Sequence, residues 1–171
     1  MYKIALTGPE SSGKTTLAKA LAKHLKSMWV PEFAREYLEL SRGKYDQDDL
    51  REILKGQLIN EEKNALLKPP YLICDSDPLV LWVWSKVKFS TLDIEIDLAW
   101  KKHQYDLYLL LSPDIEWEED PLRENKEDRE ALFLIYLEQL KNEKKPFVII
   151  KGEKDERFRS ALKAIEKISK K

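Results

Sequence analysis

The chain has 171 residues, 43% apolar and 36% charged, with a formal net charge of −1; that length holds one domain with a full core, residues 1–171, and the balance excludes a disordered polymer. The near-zero charge lacks the positive field of a general nucleic-acid binder, so Lys167, Lys170 and Lys171 read as a solvated tail and no nucleic-acid partner is expected. No run approaches the ~18 apolar residues of a membrane span, no charged-then-apolar leader opens the chain, and the lone Cys74 excludes an intrachain disulfide, so a cytoplasmic protein without a membrane partner is expected.

Tyr2–Thr7 is an apolar run of strand length. It leads into Gly8-Pro9-Glu10-Ser11-Ser12-Gly13-Lys14-Thr15, which fits the phosphate-binding pattern G-x-x-x-x-G-K-S/T, and then into a helix with the stripe Leu17, Ala18, Leu21, Ala22, Leu25. Strand, loop and amphipathic helix in that order are the setting the motif requires. Gly8 and Gly13 allow backbone angles that a side chain resists. The loop amides then converge on phosphates at the positive end of the helix. Lys14 supplies a mobile charge for the β- and γ-phosphates, and Thr15 a hydroxyl for Mg²⁺. Gly8, Glu10, Ser11, Ser12, Gly13, Lys14, Thr15 and Thr16 are therefore assigned to a nucleoside triphosphate, ATP with Mg²⁺.

Met28–Val30 reads as a short second strand, followed by Pro31-Glu32-Phe33-Ala34-Arg35. A carboxylate just past a strand end can accept a hydroxyl proton or bind substrate hydroxyls, which suits Glu32. Arg35 lies one helical turn on; a surface ion pair is the competing reading, and the pattern leaves the two equal. Leu50, Ile53, Leu54 and Leu58 mark a helix read as capped by Asp48. Gln57 and Glu61 continue its inward stripe, so Gln57 either lines a substrate pocket or is satisfied within the core.

Pro69-Pro70 stops that helix before the apolar strand Tyr71–Asp75, which ends in an acid as a Walker B strand does. Asp75 is the candidate Mg²⁺ ligand, directly or through water, and Cys74 an inert buried thiol. Asp77-Pro78 reads as an N-cap with proline at the first helical position; Asp77 is also a candidate substrate carboxylate. Leu107–Leu111 is a fourth strand. The acidic, non-periodic stretch 113–126 is long enough to be a functional lid. It carries Trp117, which can stack on a planar ring, and Arg123. Arg129 follows it. Guanidinium groups delivered there can stabilise a transferring phosphoryl group, with plain solvation as the alternative. Phe133, Tyr136, Leu137 and Leu140 mark another helix, Phe147–Ile150 a fifth strand, and Phe158, Ala161, Leu162, Ile165 and Ile168 a last helix. Lys151-Gly152-Glu153, between the last two, is where backbone can approach an adenine ring. His24 and His103 have no ligand spacing and read as helix-face residues.

Apolar strands alternating with helices predict an α/β fold on a parallel sheet. The set Gly8–Thr16, Pro31-Glu32-x-x-Arg35, Gln57, Cys74-Asp75-Ser76-Asp77, Tyr105-Asp106-Leu107, Pro113-Asp114-Ile115-x-Trp117, Asp120-x-x-Arg123 and Arg129 resembles the ribosylnicotinamide kinase domain of NadR-type proteins, from about Lys3 to Lys163. The resemblance implies a three-layer P-loop kinase fold with five parallel strands in the order 2-3-1-4-5. It also implies transfer of the γ-phosphate of ATP to the 5′-hydroxyl of nicotinamide riboside. Bifunctional members carry further domains upstream, and neither of those functions is expected from a chain starting at the kinase strand. Pro31 stands where those members are expected to have an aromatic residue, which leaves the stacking ring to Trp29, Phe33 or Tyr37. On this reading Lys14, Glu32, Asp77, Arg123 and Arg129 carry the chemistry, Glu32, Arg35, Gln57, Asp77 and Trp117 hold a small nucleoside, and Thr15 and Asp75 hold the metal. A kinase for another nucleoside or nucleotide, and a nucleotide-dependent binding switch, are the alternatives. The oligomeric state is left open.

Overall fold

The computed structural model describes residues 1–121 and 127–170. Five strands, β1 (Tyr2–Thr7), β2 (Met28–Val30), β3 (Tyr71–Cys74), β4 (Leu107–Leu111) and β5 (Phe147–Ile150), form one parallel sheet in the order β2-β3-β1-β4-β5. This is the expected order. The strands alternate with helices α1 (Lys14–His24), α2 (Phe33–Leu40), α3 (Gln47–Ala65), α4 (Pro78–Lys88), α5 (Ile94–Lys102), α6 (Arg129–Asn142) and α7 (Lys154–Ser169).

Successive strand side chains point to opposite faces, and that period sorts the apolar runs between two cores. Ile4, Leu6, Ile73, Leu107, Leu109 and Leu111 pack against α1 and α7. Ala5, Leu72, Cys74, Tyr108 and Leu110 pack against the other helices. The central strands therefore need no polar face, which is why β3 and β4 and the Ile4–Leu6 stretch of β1 are continuously apolar.

Three local readings change. Asp75 lies one residue beyond β3, although its N–H still donates to the Val30 carbonyl at 3.0 Å. The cap of α3 is Asp46, not Asp48. Asp46 is extended and accepts from the Asp48 and Asp49 amides at 2.8 and 3.2 Å, while the Asp49 carboxylate accepts from the Asp46 N–H. Asp48 is already inside the first turn, paired with Arg51. Helix α5 has no counterpart in the sequence reading; its Trp100 is fully buried, edge-on to Tyr108. Among the described residues no helix is long and apolar enough to cross a membrane.

Candidate active site

The ends of β1, β4 and β5 deliver three loops to one edge of the sheet. A cleft of about 1580 Å³ opens there, larger than a typical single-ligand pocket and roomy enough for two substrates. The P-loop forms its floor. Gly8 has φ +131°, and an added Cβ would sit 2.7 Å from the Leu111 carbonyl oxygen. Backbone cannot yield there, so both the angle and the close approach of β4 require glycine. Gly13 has φ +82° and opens α1. Ser12 Oγ donates to the Pro9 carbonyl at 2.8 Å, and Lys14 Nζ donates to the Gly8 and Pro9 carbonyls at 2.8 and 2.7 Å. Lys14 thus lies across the hollow of its own loop. Glu10, Ser11, Thr15 and Thr16 also line the cleft.

Asp75 sits behind the loop, 1% exposed. Burial, and then the neighbouring Glu32 charge, push its carboxyl up to about 7. The Thr15 hydroxyl, Lys14 and the Trp29 indole hold it down in part, but among the described residues neither carboxylate oxygen closes a hydrogen bond of ordinary geometry. A buried carboxylate in that state is a group with a ligand to gain. No cluster of three or more His, Cys, Asp or Glu suited to a metal occurs among the described residues. The donor types of Thr15 and Asp75 fit Mg²⁺, which takes most of its ligands from phosphates and water and needs only one or two protein groups.

The other half of the cleft lies between α2, α4 and α6. Glu32, the N-cap of α2, and Arg35 line it, with Val80, Val83, Trp84, Leu132 and Tyr136 as its apolar wall. Arg35 donates to Asp120 at 2.9 Å and to Glu39 at 3.2 Å. The segment after β4 folds back over the P-loop. Glu118 N–H donates to Ser11 Oγ at 2.9 Å, and Arg129 donates to the Ser11 and Ile115 carbonyls at 3.3 and 3.1 Å. Trp117 lines the cleft with the Arg129 guanidinium 5.6 Å from its ring centre. Arg123 falls outside the described residues.

Lys14, Thr15, Glu32, Arg35 and Trp117 therefore share one cleft, and Arg129 clamps its edge. Gln57 and Asp77 are not among its lining residues. Gln57, 2% exposed, accepts the Phe33 N–H at 2.9 Å and donates to Glu61 at 3.3 Å. Its inward position is answered inside the core, where it ties α3 to the first turn of α2. Glu61 is held in turn by Lys3 and Tyr105. Asp77 caps α4 as expected, 1% exposed, accepting the Leu79 N–H. Gly152 has φ +88°, and Glu153 joins the cleft wall.

Arg157 was missed. It is 4% exposed and reaches Ser12, Ser112, Gly152 and Asp114. The available signal was its spacing, one and two helical turns before the buried Ala161 and Ile165, because a guanidinium on an inward face requires acceptors. The apolar wall on α4 and the α6 residue Leu132 were also not assigned to a site.

A family model described as an AAA domain matches residues 3–157. No curated protein sequence matches the chain. Among solved structures, the NadR protein in complex with NR matches with a TM-score of 0.83 at 25% identity, covering 98% of this chain and 51% of that one. Deoxyadenosine kinase from M. mycoides with the products dCMP and a flexible dCDP bound gives 0.63 at 16% identity, covering 96% and 99%. Thymidylate kinase from Ehrlichia chaffeensis gives 0.64 at 14% identity, covering 96% and 98%. The chain spans about half the length of the NadR structure and nearly all of the other two, whose likeness establishes the fold, that of P-loop small-molecule kinases.

Proposed function

The chain belongs to the AAA-domain family whose model spans residues 3–157, and from that premise we propose that it is an ATP-dependent kinase acting on the 5′-hydroxyl of nicotinamide riboside. The observation that carries this reading is one cleft holding both Lys14 and Thr15 of the P-loop and, beyond the end of β2, the side chains Glu32 and Arg35. A switch protein has no need of a second, apolar-walled half beside its phosphates. The likeness to NadR in complex with NR, over 98% of the chain, supports the choice of acceptor.

In the transfer, the acceptor oxygen forms a bond to the γ-phosphorus as the bond to the β,γ-bridging oxygen breaks, in line and with little help beyond positioning and charge. Glu32 accepts the hydroxyl proton. Lys14 swings from the Gly8 and Pro9 carbonyls to the β- and γ-oxygens. Arg129, already at the P-loop rim, stands where negative charge spreads over the phosphoryl oxygens. Thr15 and the buried Asp75 would hold Mg²⁺, which supplies further neutralisation of the phosphates. The flat cationic ring of the riboside faces the apolar wall, where Trp84 and Tyr136 present aromatic groups.

The test is an acceptor screen with Mg·ATP and nicotinamide riboside, deoxyadenosine, thymidine and thymidylate, reading product by mass. Nicotinamide riboside is expected to give the highest kcat/KM. Phosphorylation of a different acceptor alone would keep the kinase and discard the riboside. ATP turnover with no phosphorylated acceptor would discard the kinase.

A further inference from the structure

The P-loop motif explains why glycine is needed at positions 8 and 13 but not what holds the intervening peptides in one orientation. Ser11 and Gly13 both have positive φ, +52° and +82°, a region that a serine enters only reluctantly and glycine does not prefer, so local preference alone does not fix the peptide planes between them. A phosphate cradle needs those N–H groups aimed inward before the ligand arrives.

We propose that Arg157 is a positioning residue of the nucleotide site, fixing the Ser12–Gly13 peptide so that the Gly13 N–H faces the phosphates. The proposal rests on the reading of Gly8–Thr15 as a triphosphate site. Arg157 Nη1 donates to the Ser12 carbonyl at 2.7 Å. In a trans peptide the N–H points opposite the C=O, and the described chain has no cis bond. Holding the Ser12 oxygen toward Arg157 therefore turns the Gly13 N–H away from it, into the loop. The same guanidinium donates to the Ser112 carbonyl at 2.9 Å through Nη2 and to the Gly152 carbonyl at 2.6 Å through Nε. Asp114 pairs with Arg157 and also accepts the Gly152 N–H at 2.8 Å. One planar group thus fixes the P-loop to the loops that follow β4 and β5. Arg129 acts in the same way on the preceding peptide through the Ser11 carbonyl. A lysine offers a point charge instead of a fork and cannot hold three carbonyls in fixed directions.

The experiment compares wild type with Arg157→Lys and Arg157→Met below their melting temperatures. It measures Mg·ADP binding by calorimetry and the Gly13 amide resonance in protein labelled with [¹⁵N]glycine, whose five glycines give a sparse spectrum. In wild type, Mg·ADP is expected to move the Gly13 amide strongly downfield, as a hydrogen bond to phosphate does. Arg157→Met is expected to weaken Mg·ADP about tenfold or more and to abolish that shift, with Arg157→Lys between the two. Arg157→Lys keeps the stem and the charge, so it decides alone where Arg157→Met does not fold. A variant that melts earlier but binds Mg·ADP and shifts Gly13 as wild type does would overturn the proposal, since that is the signature of a purely structural residue. Wild-type protein that binds Mg·ADP with the Gly13 shift yet phosphorylates no acceptor would overturn the kinase reading and leave Arg157 in place. Wild-type protein that does not bind Mg·ADP would overturn both.

Discussion

Asp77 is subject to two opposed demands. As the N-cap of α4 it should accept amide hydrogens, yet it is almost fully buried, and burial pushes its carboxyl up to about 7 despite help from the Thr7 hydroxyl and the Leu79 and Val80 amides. The folded state then keeps a proton that the unfolded chain releases. For such a group stability falls as pH rises, across the window from about 3.8 to about 7. Asn caps about as well as Asp. Asp77→Asn should therefore gain stability at about pH 8, on the order of a few kcal/mol at most, and change little near pH 4, as read by urea unfolding at both. Equal effects at the two pH values would remove the carboxylate as the cause. Glu32 is half-buried at the junction of the two halves of the cleft, where Gln keeps the shape and loses the charge. Glu32→Gln should lower kcat by about 10²–10⁴-fold and leave Mg·ATP binding near wild type. Weakened ATP binding with kcat intact would place Glu32 on the nucleotide instead.

At the scale of elements, the approach of β1 to β4 sets the height of the P-loop, and Gly8 is where it is tightest. Gly8→Ala puts a methyl group 2.7 Å from the Leu111 carbonyl at φ +131°. It should cost about 1–3 kcal/mol and lose Mg·ADP binding; stability and binding both unchanged would show that the two strand ends need not meet. All five strands were legible because each is mostly apolar and of strand length, even though β1 carries Lys3 and Val148 on the edge strand β5 is exposed. Helix α5 was not, because Ile94, Ile96, Leu98 and Trp100 alternate as a strand would while Ile94 and Leu98 are exposed. The cap of α3 was off by two residues because Asp46, Asp48 and Asp49 are chemically equivalent candidates, and only the backbone angle selects Asp46. The site divides the same way. The P-loop is contiguous and its spacing encodes its geometry. Gln57 had two solutions, and the Phe33 amide, 24 residues away, chose between them. Arg157 meets Ser12 across 145 residues of chain, a contact that no local pattern records.

Across the whole molecule, the loops after β1, β4 and β5 belong to different segments of chain but line one cleft, and on the proposed function the Asp75 end of β3 would join them around a single nucleotide. Binding there should stabilise the fold as a unit, since a ligand that recognises only the native state adds RT ln(1 + [L]/Kd). At a concentration of about 100 Kd, a non-hydrolysable Mg·ATP analogue should add about 2.7 kcal/mol, a rise in Tm of roughly 5–10 °C for a domain of this size. Part of that rise should belong to the metal. Chelating Mg²⁺ should leave the share due to Lys14 and the loop amides and remove the share that passes through Thr15 and Asp75. Asp75→Asn separates the two contributions. It relieves a buried acid held up near 7, so the unliganded variant should melt no lower than wild type near pH 8, while its nucleotide-induced rise in Tm should be nearly the same with and without Mg²⁺. A variant that keeps the full Mg²⁺-dependent increment would show that the metal is held elsewhere, and Asp75 would revert to a buried acid without a ligand.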